Sequence, residues 1–300
     1  MKNRLSPILR NLGRVCLLLV VAGYLGRVHP AGDSVAVFRV YFAGLLVLSG
    51  VGLMIVGPRG AGAVNAALGA GIIATLGILP WGTQQDPQTG QGAVIRHYQK
   101  NLLFHNDNPV EVLEDILARD PDIVTLQEAV GRSGNVLAPL MRTYPAHIAC
   151  DAPESYGLAI FARWPAIDGT AFCGDRLAGV QVEAPEGPLW VVATHLRWVW
   201  PYPNAENADA IAARIAQLDG PIALGGDFNV VPWAHSVTQI AEAGGLTRVG
   251  RSAVTFAAGG LLRVQIDHVL ATGGTGRSER LPRLGSDHWG VWAEYSLTRP

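Results

Sequence analysis

Three apolar stretches, at about 12–28, 36–57 and 62–80, dominate the first quarter of this chain, and their only charges are Arg14, Arg27 and Arg39 at the margins. Each approaches the ~20 residues that an α-helix needs to cross a hydrocarbon core, so three transmembrane helices are expected. The first follows a basic lead (Lys2, Arg4, Arg10, Arg14) and also suits a secretory signal peptide. Two further stretches behind it favour an uncleaved helix. Flanking cations favour the cytoplasmic side. The N-terminal tail holds four, whereas Arg27 and Arg39 of the first loop are partly offset by Asp33. An N-terminus inside and three crossings place everything after Trp81 outside the cytoplasmic membrane, in the periplasm where a cell has two membranes. Loss of the first span would reverse this orientation.

The chain therefore divides into an anchor (1–82), a short linker rich in Gln, Gly, Pro and Asp (83–92) and a domain from 93 to 300. The anchor accounts for a mean hydropathy of +0.23, high for a soluble enzyme. From residue 96 onward there are 16 Lys and Arg against 22 Asp and Glu. No basic run is present, which disfavours non-specific nucleic-acid binding. Arg277, Arg280 and Arg283 come nearest to a cluster and read as a solvated loop.

Within the domain, periodicity predicts a first strand in 93–106 ending at Asn101, and helices at 109–117, 133–142, 205–218 and 235–244. Three strands lie between 146 and 173, followed by strands at 178–183, 189–196, 221–224, 253–256, 264–271 and 289–296. Polar residues sit at the ends of several apolar runs. Leu224-Gly225-Gly226-Asp227-Phe228-Asn229 offers a carboxylate and an amide two positions apart, which on extended backbone address one point. Its two glycines let the backbone turn or approach something bound, and the hexapeptide also suits a plain turn. Ile123 to Glu128 is a strand ending in a carboxylate, Trp190 to Leu196 ends near His195, Val264 to Leu270 carries Asp267, and Gly285-Ser286-Asp287-His288-Trp289 puts an acid beside a histidine.

Together with Asn101, this ordered set resembles the endonuclease/exonuclease/phosphatase (deoxyribonuclease I-like) superfamily over residues 93–297. The resemblance implies an α+β fold, a four-layer α/β/β/α sandwich, here preceded by three transmembrane helices. It implies a phosphoesterase dependent on Mg²⁺, with Mn²⁺ as the alternative. Glu128 would be the direct metal ligand, Asn101 would support the metal or the phosphate, and Asp287 would hold a second metal or help with the first. Asp227 and Asn229 would orient the attacking water and the phosphoryl oxygens. His288, its tautomer fixed by Asp267, would act as a base or, protonated, pair with phosphate, with His195 as a second donor across the phosphate. Glu154 is the guess for a partner of His195. His268, next to Asp267 on a strand, faces the opposite way and is structural. Around Asn101 the approach Tyr98-Gln99-Lys100 departs from the family pattern, and Lys100 points to solvent or touches substrate.

Two features lie outside that set. Trp198 and Trp200, with Tyr202 and Trp233, place large aromatics near the site, as loop anchors or as an apolar wall for a lipid-linked phosphate ester. Cys150 and Cys173 end segments that read as neighbouring strands, and pair as a disulfide or stay as two buried thiols. The substrate is a phosphodiester or phosphomonoester. A nuclease acting outside the cytoplasm is the alternative enzyme, and a non-catalytic binding domain the alternative of another class.

Overall fold

The computed structural model describes residues 2–79, 92–151, 153–154 and 156–297. The linker proposed at 83–92 lies outside the described residues except for its last position. Four helices open the chain: α1 (Lys2–Ala22), the short α2 (Ala31–Ala36), α3 (Arg39–Val56) and α4 (Arg59–Thr75). Two of them, over Leu5–Ala22 and Arg39–Val56, are long and apolar enough to cross a membrane. The 17-residue α4 is shorter, and a third span is not shown. The first helix runs from Lys2 instead of from about residue 12, because only Pro7 interrupts the basic lead and it falls in the opening turns. It also stops six residues sooner, at Ala22. Helices α3 and α4 pack through small residues: a Cβ on Gly50 would lie 2.6 Å from the carbonyl oxygen of Gly62.

The domain that follows alternates strands with a few helices. Its first half holds β1 (Ile95–Asn101), α5 (Pro109–Arg119), β2 (Ile123–Gln127), α6 (Leu137–Thr143), β3 (Ala146–Cys150), β4 (Leu158–Ala162), β5 (Phe172–Gly174), β6 (Leu177–Ala184) and β7 (Gly187–His195). The second half holds α7 (Asn204–Ile215), β8 (Ile222–Asp227), α8 (His235–Ala243), β9 (Leu246–Arg248), β10 (Phe256–Ala258), β11 (Leu262–Val264), β12 (Asp267–Thr272), β13 (Thr275–Arg280) and β14 (Val291–Ser296). One sheet has the order β13-β14-β1-β2-β4-β3 and the other β5-β6-β7-β8-β12-β9, while β10 and β11 form a separate hairpin.

Period-2 alternation builds the layers. On β2, Ile123 faces the gap between the sheets while Val124 and Leu126 face outward, onto Val112 and Ile116 of α5 and Leu140 of α6. On β8, Ala223 faces the gap while Ile222 and Leu224 meet Ile211 and Ile215 of α7 and Val237 and Ile240 of α8. Three apolar layers thus separate helices, sheet, sheet and helices, the four-layer α/β/β/α sandwich that the motif order implied.

Several local expectations need correction. The glycines of the 224–229 stretch do not break the strand, since β8 continues through both to Asp227. They are small because space is short: a Cβ on Gly225 would lie 2.8 Å from Nε2 of His97 on the facing sheet. Strands β9, β11 and β13 escaped periodicity, being short or polar, and the strand expected at 253–256 lies instead at Phe256–Ala258, as β10. Arg277 and Arg280 lie on edge strand β13, not in a solvated loop, and Arg277 pairs with Glu294 of β14 while Arg280 and Arg283 cover the Trp289 ring.

Cys150 and Cys173 form a disulfide, with their Cα atoms 5.8 Å apart. Their strands are not neighbours in one sheet. β3 and β5 are edge strands of different sheets, so the bridge laces the sandwich shut along one side. Closing a loop between residues 23 apart in sequence contributes about 3 kcal/mol in the chain-entropy model. Replacing both cysteines by serine in the detergent-solubilised protein is expected to lower Tm by several degrees, and reductant should then have no further effect. An unchanged Tm would show that the bridge does not stabilise the fold.

Candidate active site

At one end of the inter-sheet gap the inward-facing positions turn from apolar to polar. On β1 these are His97, Gln99 and Asn101, and on β2 Thr125 and Gln127, all buried. They form a ladder: His97 bonds Thr125 Oγ1 at 2.9 Å, and Gln99 Nε2 donates to Gln127 Oε1 at 2.7 Å and to Asp267 Oδ1 at 3.2 Å. On the facing sheet, register places His195 of β7 beside Asp227 of β8, and Asp227 beside Asp267 of β12. One row of one sheet therefore presents an imidazole and two carboxylates to the gap.

Asp227 is the hub. Its Oδ1 accepts the backbone N–H of Asn229 at 2.8 Å, and its Oδ2 accepts Asn101 Nδ2 at 3.1 Å. The same Oδ2 lies 3.5 Å from His195 Nε2 and 3.7 Å from His288 Nε2. Asn229 is tied down through Nδ2, which donates to Leu196 O at 2.7 Å, and its backbone is left-handed at φ 51°. On the other sheet Asn101 Nδ2 also donates to Glu128 Oε1 at 3.1 Å, and Glu128 Oε2 accepts the Phe104 N–H. Glu128, Leu103, Tyr156 and Arg176 have positive φ as well, so non-glycine residues in this costly region gather around the same end of the sandwich.

Burial sets the protonation states. His288 would be pushed down by desolvation, but the carboxylates of Asp267, whose Oδ2 is 2.9 Å from Nδ1, and of Asp227 more than reverse this, raising it to about 9. The shift favours the imidazolium, the form that pairs with phosphate. His195 is pushed down to about 3 by burial, with the cationic Arg176 and His288 adding to it. It offers a neutral N–H. Asp227 is raised, first by burial and then by Asp267, against the lowering effect of His288 and the hydrogen bonds from Asn229 and Asn101. A buried carboxylate with an elevated pKa and an adjacent cation is suited to accept a proton from water.

Not every residue singled out in the sequence arrives here. Asp287 is exposed and lies outside the tight group of Asp227, Asp267 and His288, whose ligand atoms are all within 4.8 Å of one another. Trp198 lines the groove beside the site and packs edge-on against Phe256, which itself stacks 4.9 Å from His288. Trp200 turns away, to His29 of the anchor. The carboxylate nearest His195 is Asp227, with Oδ2 at 3.5 Å from Nε2, while the backbone carbonyl of Glu154 accepts Arg176 N–H. Lys100 neither points to solvent nor reaches the groove. It is fully buried, held down to about 8 by desolvation, and donates to the carbonyls of Pro282 and His288 at 3.1 Å each, which fixes the loop carrying His288. His268 is structural as expected, bonded to Val230 O at 3.1 Å.

Arg176 carried no sequence signal, sitting alone in a hairpin between β5 and β6. Its guanidinium lies 3.8 Å over the Tyr156 ring, 3.5 Å from the carbonyl oxygen of His195, in the wall of a groove of about 490 Å³ that also includes Phe104, Glu128, His195 and Asn229. Its buried Nε has no partner among the described residues. A buried cation with an unused donor in such a wall suits an anionic ligand.

The sequence profile of the Endonuclease/Exonuclease/phosphatase family matches residues 98–288, which encloses the groups from Asn101 to His288 around Asp227 and covers well over half of the chain. The chain belongs to that family. Its chemistry is phosphoric ester hydrolysis. Solved structures share the fold of this family member at low identity. A humanized D. rerio TDP2 superposes with a TM-score of 0.56 at 15% identity, covering 68% of this chain and 99% of that one. An endonuclease/exonuclease/phosphatase from Bacteroides vulgatus gives 0.55 at 18% identity over the same shares, 68% and 99%. No curated protein matches the sequence.

Proposed function

We propose that the chain is a membrane-anchored, divalent-metal-dependent phosphoesterase, with anchor 1–82, linker 83–92 and a catalytic domain 93–300 outside the cytoplasmic membrane. The observation that carries it is the meeting of Asn101, Glu128, His195, Asp227, Asn229, Asp267 and His288, drawn from both sheets, at one end of the gap.

The donor set fits a hard cation. Glu128 Oε1 and Asp227 Oδ2 both accept from Asn101 Nδ2, so carboxylate oxygens from the two sheets converge on one point, and oxygen donors of this kind suit Mg²⁺ or Mn²⁺. Glu128 would hold the ion, with Asn101 orienting its carboxylate through Nδ2, and the ion when bound draws charge from the phosphoryl oxygens. The protein groups then divide the rest of the work. Asp227 accepts the proton of the in-line water, Asn229 and the neutral N–H of His195 orient phosphoryl oxygens, and the His288 imidazolium neutralises the charge that develops. Arg176 would bind a second anionic group of the substrate.

Two apolar helices, a cation-rich N-terminal tail and the Cys150–Cys173 bridge support an anchored domain in an oxidising compartment. The acidic balance of the catalytic domain disfavours nucleic acid. The test is a panel of nucleic acid, phospholipid, sphingomyelin and inositol phosphate, each incubated with Mg²⁺ and with chelator. Hydrolysis of at least one ester is expected, and chelator should abolish it. No turnover, or turnover indifferent to chelator, overturns the reading.

A further inference from the structure

The catalytic sandwich does not hang from the anchor on a tether. The turn between α1 and α3 is docked against it through buried polar contacts. Asp33, at the centre of α2, is 4% exposed and spends both carboxylate oxygens on the start of α8: Oδ1 accepts His235 N–H at 2.8 Å, and Oδ2 accepts Ser236 N–H at 2.9 Å and Ser236 Oγ–H at 2.6 Å. α8 has no side-chain cap from its own N-cap residue, Ala234, so the anchor supplies one. Trp233 Nε1 donates to Ala36 O at 2.8 Å, and Arg39 Nη1 reaches back to Trp233 O at 3.5 Å. Ser34 Oγ donates to Trp200 O at 2.9 Å. The Tyr41 hydroxyl donates to Arg263 O at 2.8 Å and accepts Arg263 N–H at 2.9 Å. A carboxylate buried with all its hydrogen bonds made resists displacement, since an unpaired one would be costly.

The three loops gripped in this way are the loops that shape the groove. Trp233 lies four residues beyond Asn229, Trp200 lies between the groove residues Trp198 and Tyr202, and Arg263 belongs to the β10–β11 hairpin whose Phe256 stacks on His288. Four residues span at most about 14 Å, so Asn229 lies within that distance of Trp233, whose indole and carbonyl meet Ala36 and Arg39 at the start of α3. The headgroup region adds roughly 5–8 Å to each side of the hydrocarbon core. Apolar groups are left bare in two of these loops: Tyr202 is 61% exposed, and Leu261, at the tip of the hairpin two residues from Arg263, is 89% exposed.

We propose that this clamp holds the mouth of the catalytic groove against the bilayer, so that the substrates are phosphate esters of lipids in that same membrane, hydrolysed without leaving it. The proposal rests on the reading of the chain as an anchored phosphoesterase. It assigns Asp33 and Tyr41 as positioning residues and the hairpin tip as a membrane contact, favoured there by its apolar side chain as the neighbouring Trp and Tyr are by their amphipathic rings.

The experiment uses full-length protein in nanodiscs of phosphatidylethanolamine and phosphatidylglycerol, in a Cys16→Ser background. A bimane label at Leu261→Cys is expected to be quenched by doxyl-labelled lipid, and one at Asp168→Cys, in the loop between β4 and β5, is not. Equal emission from the Leu261 label with and without quencher overturns the proposal. In the second arm the Asp33→Asn/Tyr41→Phe variant is compared with the parent on the disc lipids, followed by headgroup or phosphate release, and on soluble bis(p-nitrophenyl) phosphate. Lipid hydrolysis should fall at least tenfold while soluble turnover stays within twofold. Equal losses, no loss, or a parent that cleaves single-stranded DNA faster than any lipid each overturn it. A parent inactive on every ester, with the Leu261 label quenched, would instead remove the phosphoesterase reading and leave the membrane contact standing.

Discussion

Asp227→Asn is expected to lower kcat by about 10³-fold, the range that removal of a positioned acid or base commonly costs. The side chain is fully buried, and its Oδ2 is the one atom close to Asn101, His195 and His288 together. Asparagine keeps an oxygen for the Asn229 N–H but cannot take a proton from water. The substitution keeps the volume but sets an amide NH2 against Asn101 Nδ2, so Tm is expected to fall by a few degrees while the protein stays folded. Steady-state turnover of a soluble diester, read beside a thermal melt, checks both parts. A folded variant within tenfold of the parent would mean that another group accepts the proton.

Asp267→Asn should act through His288 and be visible in the pH profile. In the parent the imidazolium persists until pH rises through about 9, because Asp267 and Asp227 outweigh burial. With the charge at 267 gone, burial gains the upper hand and the proton leaves earlier. The alkaline limb of kcat is expected to move down by about two units, and kcat at pH 8 to fall by about tenfold, the ratio of protonated fractions that such a shift produces. Stability follows the same group. The folded pKa lies above the unfolded value of about 6.5, so this contribution is fully present below pH 6.5 and is lost as pH rises through about 9. In chelator, Tm of the parent should decline across that window and the variant should show a flatter profile. An alkaline limb that stays in place would show that His288 is not the group it reports.

Much of the architecture was legible because alternation is local. Ile123-Val124-Thr125-Leu126-Gln127 shows which residues share a face before any partner is known, and the same reasoning sent Asp267 into the gap and His268 away from it. Short elements such as β9 and the polar edge strand β13 were not legible, because a strand with one covered face and six polar or small residues carries no apolar period. Gly225-Gly226 looked like a break because glycine is ambiguous in one dimension. Only the presence of His97 on the other sheet explains it as a close approach.

The sequence by itself determined the chemical inventory: apolar helices at the N-terminus, strands ending in acids, amides and histidines, and an excess of acidic over basic residues from residue 96 onward. Each is a property of a residue or of its near neighbours. The tertiary structure alone decided which strand ends meet, that Asp227 and not Glu154 lies nearest His195, that Asp287 stays in solvent, that Arg176 joins the groove, and that Asp33 of α2 caps α8. Those contacts join positions from 19 to more than 200 residues apart. They depend on sheet register and on layers closing over one another, which no local pattern of hydropathy encodes.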